Sequence, residues 1–146
     1  MAQRATESIE VNASPETVYR VVTNFERYGE WVSDLKRIEI LERDDQGRPL
    51  EVEFRAAAFG RSTTYTLLYD YRRAPAQLSW HQTEGDLTET LNGHYQFEPS
   101  GHGTKVTYDF EVELLVPIPS FIKSRAASRI QTQALRELKL RVEHLQ

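Results

Sequence analysis

The sequence predicts an α+β domain in which a curved antiparallel sheet of seven strands wraps a long C-terminal helix, with two short helices after the first strand. Three observations carry this. From Arg61 to Leu115 apolar and polar residues alternate almost without a break, the period of strands with one buried and one wet face. Ile122, Ala126, Ile130, Ala134, Leu138 and Val142 recur at every fourth position, which is a helical stripe. Near the start, Ser14-Pro15 places a hydroxyl N-cap before a proline at the first helical position.

The elements follow in order. Thr6 to Val11 reads as the first strand, with Ile9 and Val11 on one parity. The helix after Ser14 carries Val18, Val21, Val22 and Phe25 at helical spacing, and Gly29 interrupts a second, short helix bearing Tyr28 and Trp31. Ile38 and Ile40 mark a strand that ends in the turn Asp44-Asp45-Gln46-Gly47, where glycine permits positive φ. The next strands are read as Leu50–Phe59, Ser62–Arg72, Gln77–Glu84, Thr88–Glu98 and Thr104–Leu115. Gly60, Arg73-Ala74-Pro75-Ala76, Gly85-Asp86 and Ser100-Gly101-His102-Gly103 separate them. Val116-Pro117-Ile118-Pro119 cannot continue a ladder, because proline lacks the N–H, and Ser120 is the expected cap of the last helix. Consecutive strands joined by short turns make an antiparallel sheet. The last helix, about 40 Å long at about 1.5 Å per residue, is the element long enough to cover its buried face.

At 146 residues the chain is read as a single domain, 1–146. Its net charge of −4 argues against general nucleic-acid binding. The charge is uneven: from Ser120 onward six bases face two acids, a net +4 that leaves −8 for the rest. That basic helix is read either as a solvated face or as a peripheral docking surface for an anionic partner. Cysteine is absent, which excludes thiol chemistry and fits a cytoplasmic setting. No signal peptide or integral membrane segment is expected. His81, His94, His102 and His144 are dispersed without a ligand spacing, so neither a metal nor a cofactor is expected.

The buried parity is rich in aromatics with a polar tip. A plain core is served better by Leu, Ile and Val, whereas inward Tyr and Trp need partners for O–H and N–H. The sheet is therefore expected to curl around a cavity. Its candidate lining is Phe54, Tyr65, Tyr69, Trp80, Gln82, Tyr95, Tyr108 and Phe110 from the strands, with Ile122, Ala126 and Ile130 from the helix. Small residues at Ala126 and Ala127 either leave room there or let helix and sheet approach closely. On the first alternative the mouth lies near Ile118–Ala127, with Ile118, Phe121, Tyr28 and Trp31 at its rim and Leu135–Leu145 as a packed plug.

Several stretches carry a resemblance. Phe25-x-x-Tyr28-x-x-Trp31 resembles the aromatic segment after the first helix of the polyketide cyclase/dehydrase and lipid-transport family, whose members often have proline where this chain has Gly29. Glu84-Gly85-Asp86-Leu87, followed by Leu91-Asn92-Gly93-His94-Tyr95-Gln96-Phe97-Glu98-Pro99, is similar to a strand pair of the same family that also occurs in coenzyme Q-binding START-type proteins. Gly103 to Tyr108 and Val116 to Phe121 fit the same pattern. The resemblance implies the helix-grip fold of the SRPBCC, START-like superfamily (the birch-allergen type) and a deep apolar cavity between sheet and last helix. It implies binding of a hydrophobic, lipid-like or polyketide-like small molecule by a carrier or chaperone. Two alternatives stand beside this: a polyketide aromatase/cyclase-dehydratase acting on a poly-β-ketone, and a coenzyme Q-binding START-type protein. The inward arginine of the aromatases has no counterpart here, because Arg55 falls on the wet parity and Arg61 at a strand edge, so no catalytic residue is assigned.

Overall fold

The alternating segments pair in hairpin order. In the computed structural model, which describes residues 3–58 and 60–145, the elements are β1 (Gln3–Val11), α1 (Pro15–Thr23), a 3-10 helix (Phe25–Glu30), β2 (Leu35–Arg43), β3 (Pro49–Ala58), β4 (Arg61–Asp70), β5 (Gln77–Gly85), β6 (Thr88–Ser100), β7 (Gly103–Leu114) and α2 (Ser120–His144). The expected end of β3 at Phe59 lies outside the described residues. The seven strands form one sheet in the order β1-β7-β6-β5-β4-β3-β2, and the six neighbouring pairs are antiparallel.

Local chemistry explains the boundaries. Ser14 Oγ accepts from the Thr17 N–H at 3.2 Å, with Pro15 in the first turn of α1. Asp44 Oδ1 accepts from the N–H groups of Gln46 and Arg48, both at 2.9 Å, and closes the β2–β3 turn around Gly47 at φ 81°. Gly93 faces inward in β6 opposite Trp80 and Phe110. A Cβ there would lie 2.9 Å from Trp80 Cζ2 and 2.5 Å from Asp109 O, so the missing side chain is what admits the indole.

The start of α2 corrects one expectation. Pro119 occupies the N-cap position at φ −54°, ψ 140°, and Ser120 is the first helical residue, with no side-chain cap. Proline's locked φ already holds the extended cap conformation, so the helix begins immediately after it. The buried stripe is also rotated. Ala127, Gln131, Leu135, Leu138 and Val142 are buried, whereas Ile122 is 46% and Leu145 56% exposed. The cause is where the helix rests: α2 packs chiefly on β1 rather than over the middle of the sheet. Gln131 is tolerated there because its Nε2 donates to Ala5 O at 2.7 Å and Tyr108 O at 3.0 Å.

Candidate ligand cavity

Register brings the inward aromatics side by side. Phe54 faces Tyr65 across β3–β4, Tyr69 faces Trp80 across β4–β5, and Tyr95 faces Tyr108 across β6–β7. The rings form a continuous wall. Centroids are 5.4 Å apart for Phe54–Tyr65, 6.0 Å for Tyr69–Trp80, 5.3 Å for Trp80–Tyr95 and 4.6 Å for Tyr95–Tyr108. The 3-10 helix closes one end, with Tyr28 5.1 Å from Trp31 and 5.0 Å from Phe25.

Because α2 sits over β1, the space beneath β3–β6 is not filled. It is a cavity of about 190 Å3, walled by Phe54, Tyr65, Leu67, Tyr69, Leu78, Trp80, Leu91, Tyr95, Tyr108 and Phe110, with Tyr28 and Trp31 at one end and Ile130 and Ala134 from α2. A neck formed by Asp34, Ala57, Ala58, Ile130 and Gln133 joins it to an outer groove of about 770 Å3. That groove lies between the first half of α2 (Ile118, Ile122, Arg125, Ala126, Arg129) and Lys36, Gly60, Arg61 and Ser62.

The polar tips divide into two kinds. The Tyr28 hydroxyl donates to Val22 O and that of Tyr71 to Pro49 O at 2.5 Å, so both serve the frame. Thr63 Oγ1 donates to Asp86 Oδ1 at 2.6 Å, and Thr88 Oγ1 donates to Gln82 Oε1. By contrast, the hydroxyls of Tyr65, Tyr69, Tyr95 and Tyr108 and the Trp80 indole N–H have no hydrogen-bond partner among the described residues. Neither are they sealed in, since the fully buried, unpartnered polar atoms are Gln131 Oε1 and Arg141 Nε. These groups border the cavity itself. Burial pushes the Tyr65 phenol up to about 12 and holds Tyr69, Tyr95 and Tyr108 well above the ordinary value, neighbouring phenols adding to the last three. At neutral pH they are protonated donors that can also accept, not bases.

The structure places the expected lining residues unevenly. Phe54, Tyr65, Tyr69, Trp80, Tyr95, Tyr108, Phe110 and Ile130 border the inner cavity, as do Tyr28 and Trp31, whereas Ile118, Ile122 and Ala126 line the outer groove. Gln82 borders neither. The β4–β5 register shifts just beyond it, and its Nε2 donates to Thr88 O at 2.8 Å and Glu89 O at 3.3 Å, so it ties β5 to β6. Phe121 is 68% exposed and borders neither space, whereas its neighbour Ile122 faces the groove.

Sequence reading missed the neck. Gln133 Nε2 donates to Ser33 Oγ and Asp34 Oδ2, both at 3.0 Å. The Ser33 N–H approaches the Glu137 carboxylate at 3.3 Å, and Arg141 Nη2 donates to Glu30 Oε1 at 2.7 Å. Gln133, Glu137 and Arg141 are four apart, a polar stripe beside the apolar one, and that spacing was the available signal. Among the described residues no group of three or more His, Cys, Asp or Glu could hold a metal ion, and no helix is long and apolar enough to cross a membrane.

Comparison with known proteins agrees with this geometry. The family profile described as polyketide cyclase / dehydrase and lipid transport matches residues 2–143. A START superfamily protein from Mycobacterium smegmatis is 27% identical, with a TM-score of 0.92 over 98% of this chain and 99% of its own. The Zhui aromatase/cyclase from Streptomyces sp. R1128 is 14% identical, with a TM-score of 0.85 over 98% of this chain and 94% of its own. The ginseng major latex-like protein 151 from Panax ginseng is 9% identical, with a TM-score of 0.73 over 96% and 97%. The last two likenesses are of fold. The search of curated proteins gives no match.

Proposed function

The chain belongs to the polyketide cyclase/dehydrase and lipid transport family, and from that premise we propose that it holds a hydrophobic small molecule in the inner cavity, as a carrier or chaperone. One observation supports this above the others: four phenols and an indole N–H border an apolar space with no hydrogen-bond partner for their polar tips among the described residues. Those tips are not sealed in the packing, so they are open to a ligand's polar groups. A ligand with an apolar body and one or two carbonyl or hydroxyl groups would satisfy them. The direct test is titration with N-phenyl-1-naphthylamine, an uncharged probe that fluoresces in apolar surroundings, with native mass spectrometry of the gently purified protein. Saturable probe binding near one per chain is expected. No probe binding and no co-purified mass would overturn the reading.

A second reading, a polyketide cyclase, draws on the same phenols as hydrogen-bond donors to ketones. The carboxylates bordering the inner cavity are Asp34 and Glu137. Asp34 accepts from Gln133, and Glu137 accepts from the Ser33 N–H. The base that enolisation needs is therefore already engaged, which ranks binding ahead of chemistry. Processing of a poly-β-ketone in a reconstituted synthase, lost in Asp34→Asn or Glu137→Gln and lowered in the inward Tyr→Phe variants while the fold is kept, would reverse that order.

A further inference from the structure

The outer groove differs chemically from the cavity it leads to. Arg61, Arg125 and Arg129 border it together with Lys36, while Asp34 is the carboxylate in its lining. Asp34 already accepts from Gln133, and Lys36 Nζ donates to Ser62 Oγ at 2.6 Å. The three arginines make no ion pair or side-chain hydrogen bond with a described residue. Elsewhere arginines find carboxylates: Arg37 lies 2.8 Å from Glu53 and Arg72 2.7 Å from Asp70. Three arginines that border one concavity and have no ion partner among the described residues form a site for an anion.

We propose that the ligand is an anionic amphiphile, its apolar body in the inner cavity and its terminal carboxylate or phosphate held in the groove by Arg61, Arg125 and Arg129. This rests on the reading of the inner cavity as a ligand site and adds the ligand's charge and orientation. The two spaces share Ala57, Ala58 and Ile130 as wall, so a single molecule can occupy both. The inner cavity has no cationic residue in its lining, and a bare anion there would lack compensation. In the groove the same anion keeps part of its hydration and gains three guanidinium partners. The head therefore stays outside and the body enters first.

The test compares decanol, decanoate and decyl phosphate as competitors of N-phenyl-1-naphthylamine at low ionic strength. At least one anion should compete about tenfold better than decanol, an advantage that shrinks with added salt. The better of the two tells a carboxylate from a phosphate. The variant Arg61→Gln/Arg125→Gln/Arg129→Gln should lose that advantage while binding probe and decanol as before, which also shows that it folds. A control, Arg20→Gln/Arg73→Gln/Lys105→Gln, removes the same charge elsewhere and should keep it. Equal competition by decanol and both anions, or equal loss in the control, would overturn the proposal and leave the cavity reading standing. Absence of probe binding would overturn both.

Discussion

The two halves of α2 behave as different structures. From Leu135 onward the helix is an anchor: Leu135, Leu138 and Val142 are at most 2% exposed in one cluster with Val11 and Val18. Lys139 Nζ donates to Glu10 O at 2.6 Å, and Glu143 Oε2 accepts from the Asn12 N–H at 2.9 Å. Before Gln131 the same helix buries little beyond Ala127, exposes Phe121 and Ile122, and carries Arg125 and Arg129, which form no ion pair with a described residue. A rigid rod fastened at one end and leaning on an edge strand leaves a wedge of space at the other. The cavity is a consequence of that asymmetry, not of an unusual sheet.

The largest expected effect breaks the comparison most directly. Leu138→Ala should cost about 3 kcal/mol, as a fully buried leucine in a packed site does, whereas Ile122→Ala should stay within about 0.5 kcal/mol. Urea unfolding of both variants gives the two numbers. Similar costs would mean that the helix is evenly packed along its length.

Alkaline pH separates the same regions, because the anchor is aliphatic and the cavity wall phenolic. All seven tyrosines of the chain are held above their ordinary value, with burial the leading cause in each. A phenol is neutral while protonated, so burial favours the protonated form. The associated stability is whole below the unfolded value of about 10 and drains as pH rises through the folded one. Tyr65 alone, at about 12, accounts for about 3 kcal/mol. Stability should fall from about pH 10 upward, and tyrosinate absorbance should rise together with loss of structure. Titration of four or more phenols in a protein still folded would contradict the burial of the wall.

Smaller effects sort the tyrosines themselves. Tyr71→Phe removes the bond to Pro49 O and should cost about 1 kcal/mol. Tyr95→Phe removes a hydroxyl with no partner among the described residues, so stability should hold or rise while a carbonyl-bearing ligand binds about fivefold more weakly. Chemical denaturation and ligand titration on the pair distinguish frame from wall.

Much of this was legible because alternation is a direct record of which face is wet. The aromatic stripe from Phe54 to Phe110 faces inward as its parity requires, and Ser14-Pro15 and Gly47 stand where local geometry needs them. Three features were not legible, for different reasons. Gln82 has inward parity, but the register shift beside it depends on how β5 meets β4, which one strand does not encode. Gln131 reads as a surface residue, since its partners are backbone carbonyls brought from Ala5 and Tyr108, far away in the chain. The rotated face of α2 follows from resting on β1, and a four-residue stripe in a helix with Ala on two faces does not choose between them.

The smallest expected effect concerns the neck where the two halves meet. Gln133 lines both the cavity and the groove, and its amide spans from α2 to Ser33 and Asp34 at 3.0 Å each. Those bonds are exposed, so Gln133→Ala should change stability by no more than about 0.5 kcal/mol. They nevertheless border the path between the spaces, because Asp34 and Gln133 are the polar pair in an otherwise apolar neck of Ala57, Ala58 and Ile130. Losing them should speed release of a bound probe severalfold and speed its entry by a similar factor, leaving affinity nearly unchanged. Stopped-flow exchange of N-phenyl-1-naphthylamine measures both rates. Arg141→Gln serves as the comparison: it breaks the contact with Glu30 at the anchored end and should lower stability without changing either rate. If the two variants swap these signatures, passage runs past the 3-10 helix rather than under the first half of α2, and the helix's free end is not the door.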